Sequence, residues 1–170
     1  APKSELKLAA VIIDHGIQAE TAEVALKTKA TLQRIGFEQV EIVRVQVGSE
    51  GGMEAAARSA RYEAIDELAA ALDAKYVLLG HTQNDQAETV LLGLARGSGA
   101  RSLSGMAELT GRYLRPLLSV SRTHTIQVCE DSELEVWHDP QNGEERFARV
   151  RVRENVLPVL EAELGPGIIP

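Results

Sequence analysis

Apolar runs and helical periodicities alternate along the first half of the chain. Residues 8–13 (LAAVII) are a short continuous apolar run that stops at Asp14-His15-Gly16, the pattern of a buried strand ending in a loop. Residues 19–35 place Ala22, Ala25, Leu26, Ala30 and Leu32 at helical spacing and stop at Gly36, a good helix terminator. A second strand is expected over 40–47. The alanine-rich stretch 53–72 reads as the clearest helix, with Ala56, Ala60, Ile65, Leu68 and Leu72 as its buried stripe. A third strand over 76–79 and a helix over 85–95 follow. Strand and helix alternating three times predict an α/β fold, a parallel twisted sheet with helices on both faces in a Rossmann-type three-layer arrangement. Ligands in such folds bind beyond the carboxyl ends of the strands, which directs attention to Asp14-His15-Gly16 and to Gly80-His81-Thr82.

After Arg101 the pattern is less regular. It suggests a strand over 114–118, a helix over 121–131, a short strand over 134–137 and a polar loop over 139–147. A last helix starts near Ala148 and carries Val152, Val156, Val159 and Leu160, with Pro158 set to kink or shorten it. At 170 residues the chain is expected to form one domain, with a linker composition beginning near Gly165.

Composition narrows the class. Hydrophobic residues make up 44% and aromatics only 4%, so the core is built from aliphatic side chains. No apolar run approaches the roughly 18 residues that a membrane span requires, and the first residues lack the build of a secretory signal; the reading is cytoplasmic, with no membrane partner. Cys129 is the single cysteine, which excludes an internal disulfide and a cysteine-rich zinc or iron–sulfur site within the chain. The net charge of −7 argues weakly against nucleic acid. Yet over 89–129 five arginines (Arg96, Arg101, Arg112, Arg115, Arg122) stand against one acid, Glu108, a local excess of +4. A planar guanidinium suits bidentate contact with phosphate oxygens, although each arginine taken singly is equally well read as solvated surface.

Residues 80–89 (GHTQNDQAET) carry the candidate chemistry at the turn from the third strand into its helix. Asp85 and Glu88 are three apart, so their carboxylates share one face of the first helical turn. Such a pair could hold a Mg²⁺ ion that bridges nucleotide phosphates. Local chemistry alone fits a capping role better, with Asp85 capping the helix and Glu88 reaching back to its amide, and a lone His81 is more simply a packed side chain. The turn 96–102 (RGSGARS) could cradle an anion or merely end the helix at Gly97. On the long helix, Glu54, Arg58, Arg61 and Tyr62 lie along one stripe; a Glu54–Arg58 surface pair would account for two of them.

Taken together these segments resemble the tRNA(Ile)-lysidine synthetase family of N-type ATP pyrophosphatases, over nearly the whole chain and in the family's order. The stretch 13–18 (IDHGIQ) is similar to its second-strand signature, and 54–62 (EAAARSARY) to its Glu-x-x-x-Arg-x-x-Arg-Tyr helix. Residues 80–89 with 96–99 match its most diagnostic block, and 115–118 (RPLL), 139–142 (DPQN) and 147–153 (FARVRVR) complete the series. The resemblance implies an adenine nucleotide alpha hydrolase-like fold and a ligase that uses ATP to adenylate O2 of the anticodon cytidine of an isoleucine tRNA with anticodon CAU. The amino group of free lysine then displaces AMP to form lysidine. ATP and Mg²⁺ are the implied cofactors; the tRNA and free lysine are the implied partners, with homodimerisation left open.

Carried over by position, Asp85, Glu88 and His81 would be catalytic, with Asp85 and Glu88 on Mg²⁺ or on the substrate ammonium. Asp14, His15, Gly80 and Arg58 would lie on the nucleotide side. Arg61, Arg96, Arg101, Arg115, Asn142, Arg149 and Arg153 would lie on the tRNA or substrate side.

Two departures qualify the match. Asn84-Asp85 stands where the family usually has two aspartates, which removes one potential metal ligand while leaving an amide carbonyl oxygen. The family's Ser-Gly-Gly-x-Asp-Ser phosphate loop should precede Leu8, where only seven residues stand; the expectation is a natural N-terminal segment beyond this sequence, the alternative an inactive piece. Other enzymes sharing the sheet remain in competition, as does a non-catalytic nucleotide- or RNA-binding module. A thiolase leaning on paired cysteines is disfavoured by the lone Cys129.

Overall fold

The computed structural model describes residues 7–16, 20–46, 53–97, 99, 103–165 and 167–169. The chain divides into two compact units, residues 1–74 and 75–170, each α/β in character.

In the first unit, β1 (Ala9–Asp14) and β2 (Gln39–Arg44) pair in parallel, from Ala9 opposite Gln39 to Asp14 opposite Arg44. Helix α1 (Thr21–Arg34) makes the crossover and packs on both strands. Its buried residue is Ala25, whereas Leu26, another of the helically spaced apolar positions, is exposed. Helix α2 (Met53–Ala71) lies against β1 and buries Ala64, Ile65 and Ala69. The expected stripe lies on this face: Ile65 is buried and Ala56, Ala60, Leu68 and Leu72 are half-buried, with Ala64 and Ala69 completing it.

In the second unit, β3 (Val77–Leu78) pairs in parallel with β5 (Tyr113–Leu114), and β4 (Leu109–Thr110) pairs antiparallel with β5. The β4–β5 hairpin turns at Gly111, whose φ of 59° is the left-handed conformation glycine tolerates. The strand expected over 114–118 stops after Leu114 for a clear reason. The Arg115 amide still donates to Glu108 O at 2.8 Å, but Pro116 has no N–H and the chain enters successive turns, Leu118 to Arg115 and Val120 to Leu117. Residues 134–137, expected as a strand, pair with no strand among the described residues.

Helix α3 (Gln83–Ala95) follows β3, and α4 (Arg122–Asp131) starts from Ser121, whose Oγ accepts the His124 amide at 3.3 Å. The last helix runs as α5 (Ala148–Arg151), a π turn (Val152–Val156) and α6 (Leu157–Leu164). Pro158 sits in the first turn of α6, where its missing N–H would leave an ordinary α-helical ladder one bond short. The wider π turn absorbs that interruption without ending the helix, so the expected effect of Pro158 appears as a bulge. Val150 and Leu157 are buried on either side of it. Among the described residues, no helix is long and apolar enough to cross a membrane.

Candidate functional site

Two centres gather the candidate residues, one in each unit. In the first, Asp14 ends β1 as a buried carboxylate. Its Oδ1 accepts the Gly16 amide at 2.9 Å. The Thr21 hydroxyl and that amide hold its carboxyl below the ordinary aspartate range, against the opposing effect of burial, with help from Arg44 and His15. Gly16 has φ 62°, the left-handed conformation that favours glycine, and a Cβ there would also displace the exposed end of Arg44 from 2.9 Å. Arg61 reaches His15 with Nε at 3.4 Å and Nη2 at 3.1 Å from Nε2. A guanidinium only donates, so in this contact His15 Nε2 is the acceptor. Arg58 stacks on the Tyr62 ring at 4.8 Å and donates to its hydroxyl at 3.3 Å. The Glu54 side chain of the expected Glu54–Arg58 pair lies outside the described residues.

The second centre is built on α3. Thr82 is the N-cap, and Asp85 Oδ2 accepts both the Thr82 amide and the Thr82 hydroxyl, each at 2.8 Å. The reach-back of a capping box is thus real but displaced by one turn from the sequence expectation: Thr82 caps, Asp85 reaches back, and Glu88 is released from capping. Burial works to raise the Asp85 pKa, but the two Thr82 donors, Arg122 and His81 outweigh it and hold the carboxyl below its ordinary value.

Glu88 is the largest fully buried side chain among the described residues. Arg153 Nε donates to its Oε1 at 2.7 Å, Arg122 Nη2 lies 3.8 Å from the same oxygen, and Arg149 Nε lies 3.8 Å from Oε2. Arg149 also reaches the Thr89 hydroxyl at 3.4 Å. Arg149 and Arg153 are four apart, so α5 and the π turn present both to one carboxylate. Burial alone would ease the proton off Arg153, but the hydrogen bond and charge of Glu88 raise its pKa instead.

The remaining predicted residues are spread out. Gly80 is exposed just after β3, Arg96 is exposed at the C-cap of α3, and Asn142 is exposed in the short 3₁₀ turn Pro140–Gly143. Arg101 lies outside the described residues. Arg115, expected on the tRNA side, is instead buried in its own hairpin. Its Nη1 donates to Ala107 O at 2.8 Å and to Thr110 Oγ1 at 3.2 Å, which makes it a structural tie for β4.

The fit of Asp85 and Glu88 to a shared Mg²⁺ is poor. Arg122 Nη2 stands 3.3 Å from Asp85 Oδ1 and 3.8 Å from Glu88 Oε1, so a guanidinium holds the place between the carboxylates that a bridging cation would need. No group of three metal-binding side chains occurs among the described residues.

These centres sit on the segments that carry the sequence resemblance, and a family model described as the PP-loop domain matches residues 1–160. The chain belongs to this family. As a PP-loop domain it is 54% identical over 168 residues to a tRNA(Ile)-lysidine synthase of Thermobifida fusca, covering 99% of this chain and 52% of that protein. It is 51% identical over 168 residues to the tRNA(Ile)-lysidine synthase of Leifsonia xyli, covering 99% and 51%. The chain spans about half the length of these relatives. Its fold matches that of the U34-tRNA thiolase NcsA from Methanococcus maripaludis with a TM-score of 0.75 at 15% identity, over 96% of this chain and 59% of that one.

Two residues of this PP-loop domain take parts that their sequence positions did not indicate. Arg122 bridges Asp85 and Glu88, and the only signal for it was its membership of the arginine-rich stretch. Asn84, the departure from paired aspartates, has a defined structural role. Its Oδ1 accepts the Arg122 amide at 2.8 Å and satisfies one of the open amides at the start of α4.

Proposed function

We propose that the natural protein containing this chain ligates lysine to C2 of the wobble cytidine in the anticodon of an isoleucine tRNA, through an adenylated tRNA intermediate. The observation that carries this reading is the roughly half identity to tRNA(Ile)-lysidine synthases across 99% of the chain. The chemistry is reasonable: the cytidine oxygen is a poor leaving group until ATP converts it to an AMP ester, which an amine can then displace.

The residues divide the work. Asp85, kept ionised and 16% exposed, is suited to hold the ammonium of incoming lysine. Glu88, fully buried, orients arginines. His81, one of the charges acting on Asp85, belongs with it on the substrate side. Asp14, His15, Gly80 and Arg58 serve the nucleotide side. Arg61, Arg96, Arg101, Asn142, Arg149 and Arg153 serve the tRNA or substrate side. Mg²⁺ enters with the ATP phosphates, and of the two acids only Asp85 has the exposure to meet it. Acting on tRNA with free lysine as co-substrate, the protein is cytoplasmic.

The test is to incubate the natural protein with ATP, Mg²⁺, radiolabelled lysine and isoleucine tRNA bearing CAU. Lysine incorporation with release of pyrophosphate is expected. Pyrophosphate release without incorporation would move the protein to another PP-loop tRNA modification, and neither product would leave a nucleotide- or RNA-binding module.

A further inference from the structure

The Glu88 centre holds more cation than its acids neutralise. Asp85 and Glu88 face the guanidiniums of Arg122, Arg149 and Arg153, which leaves one positive charge in excess among the groups in contact. Glu154 also acts on Arg153 but is exposed, where solvent screens it. The three arginines are not equivalent. Arg153 is joined to Glu88 Oε1 at 2.7 Å, an ordinary charge-assisted hydrogen bond. Arg122 and Arg149 stop at 3.8 Å, on opposite oxygens, and remain 31% and 34% exposed. At that separation a guanidinium is attracted by the carboxylate without giving up an N–H to it. Glu88 Oε2, fully buried, accepts no hydrogen bond.

From this geometry we infer that Arg122 and Arg149 form an oxyanion subsite, oriented by Glu88 as their buried counter-ion, that receives a phosphate or carboxylate group. The subsite rests on the functional reading above, under which two oxyanions reach this centre: the phosphates of the nucleotide or its pyrophosphate product, and the carboxylate of free lysine. Planar guanidiniums on either side of one fixed carboxylate keep their remaining N–H groups for a ligand with two oxygens in a plane. Glu88 supplies the restraint. Without it two long side chains would lose rotamer freedom on binding and weaken the gain.

Calorimetry on the full natural protein tests this with three probes: inorganic pyrophosphate, L-lysine, and cadaverine, which is lysine without its carboxylate. Arg122→Gln and Arg149→Gln are each expected to weaken at least one oxyanion probe roughly tenfold or more, with cadaverine unchanged. A loss confined to pyrophosphate assigns the subsite to nucleotide phosphate; a loss confined to lysine assigns it to the substrate carboxylate. Arg122→Lys, which keeps the charge and loses the fork, is expected to fall between wild type and Arg122→Gln. Unchanged affinities in both glutamine variants would overturn the subsite and leave a purely structural network, as would an equal loss of lysine and cadaverine or a wild-type protein that binds neither oxyanion. These measurements need no turnover. A protein that binds the oxyanions through Arg122 and Arg149 but never transfers lysine to tRNA would lose the functional reading and keep the subsite.

Discussion

Asp14 and Glu88 are both buried carboxylates, yet their surroundings differ. Asp14 is met by a neighbouring amide and a hydroxyl seven residues on, with Arg44 at 3.9 Å and 69% exposed. Its needs are met by the local turn. Glu88 has no local donor; its partners come from α4, α5 and the π turn, all charged. A buried acid satisfied by neutral groups nearby stabilises one loop, whereas one satisfied by distant cations makes several elements interdependent. The same residue class therefore serves as a turn pin in one unit and as an assembly point in the other.

The strongest way to break this comparison is Glu88→Ala, which leaves three guanidiniums around an uncompensated space. A loss of about 3–5 kcal/mol is expected in urea unfolding, and the variant could fail to fold. A loss below about 1 kcal/mol would show that the arginines simply turn to water. Next, Asp85→Asn removes charge-assisted bonds and should cost about 2 kcal/mol near neutrality. The sign with pH follows from the depressed carboxyl. Stability from Asp85 is fully present above the ordinary aspartate range and is lost as pH falls through the lowered folded value. The variant should therefore show a flatter acid limb than wild type when melting temperature is followed below about pH 4.

Smaller effects sharpen the contrast. Asn84→Ala takes the cap from the Arg122 amide and should cost about 1 kcal/mol, while Asn84→Asp should retain most of that, as read from circular-dichroism melts. The smallest change is expected from Arg44→Ala in the first unit. An exposed guanidinium 3.9 Å from Asp14 contributes less than about 0.5 kcal/mol, and a larger loss would mean that Asp14 depends on charge as Glu88 does.

The first β–α–β crossover was readable because apolar runs and helical spacing are long enough there to separate β1, α1, β2 and α2. The hairpin was not. β4 and β5 have two residues each, too short for alternation to register, and Pro116 ends a run that otherwise reads as strand. The candidate site was legible in its residues and illegible in its pairings. Residues 82–88 contain Thr, Asp and Glu at three-residue intervals, so two capping boxes fit equally well on paper. Only the fold decides that Thr82 and Asp85 form one and that Glu88 turns inward. Arg122 was hidden for a related reason: its partners are 37 and 34 positions away, and nothing local marks an arginine at a helix start as bridging.

The π turn at Val152–Val156 has a consequence for the permitted length of the chain. A π turn accommodates one residue more than the α-helix around it, and each residue in an α-helix advances the face by about 100°. Deleting one residue of that turn would therefore leave Leu157 in phase with Val150 and Arg149, while returning Pro158 to an α-helical ladder that its missing N–H cannot complete. The same deletion in α5 or α6 would swing everything after it by about 100° and turn the arginines and the buried leucine to different sides. The π turn is thus the place where this helix tolerates a change of length, and a one-residue alignment gap is expected there before it is expected in the flanking turns.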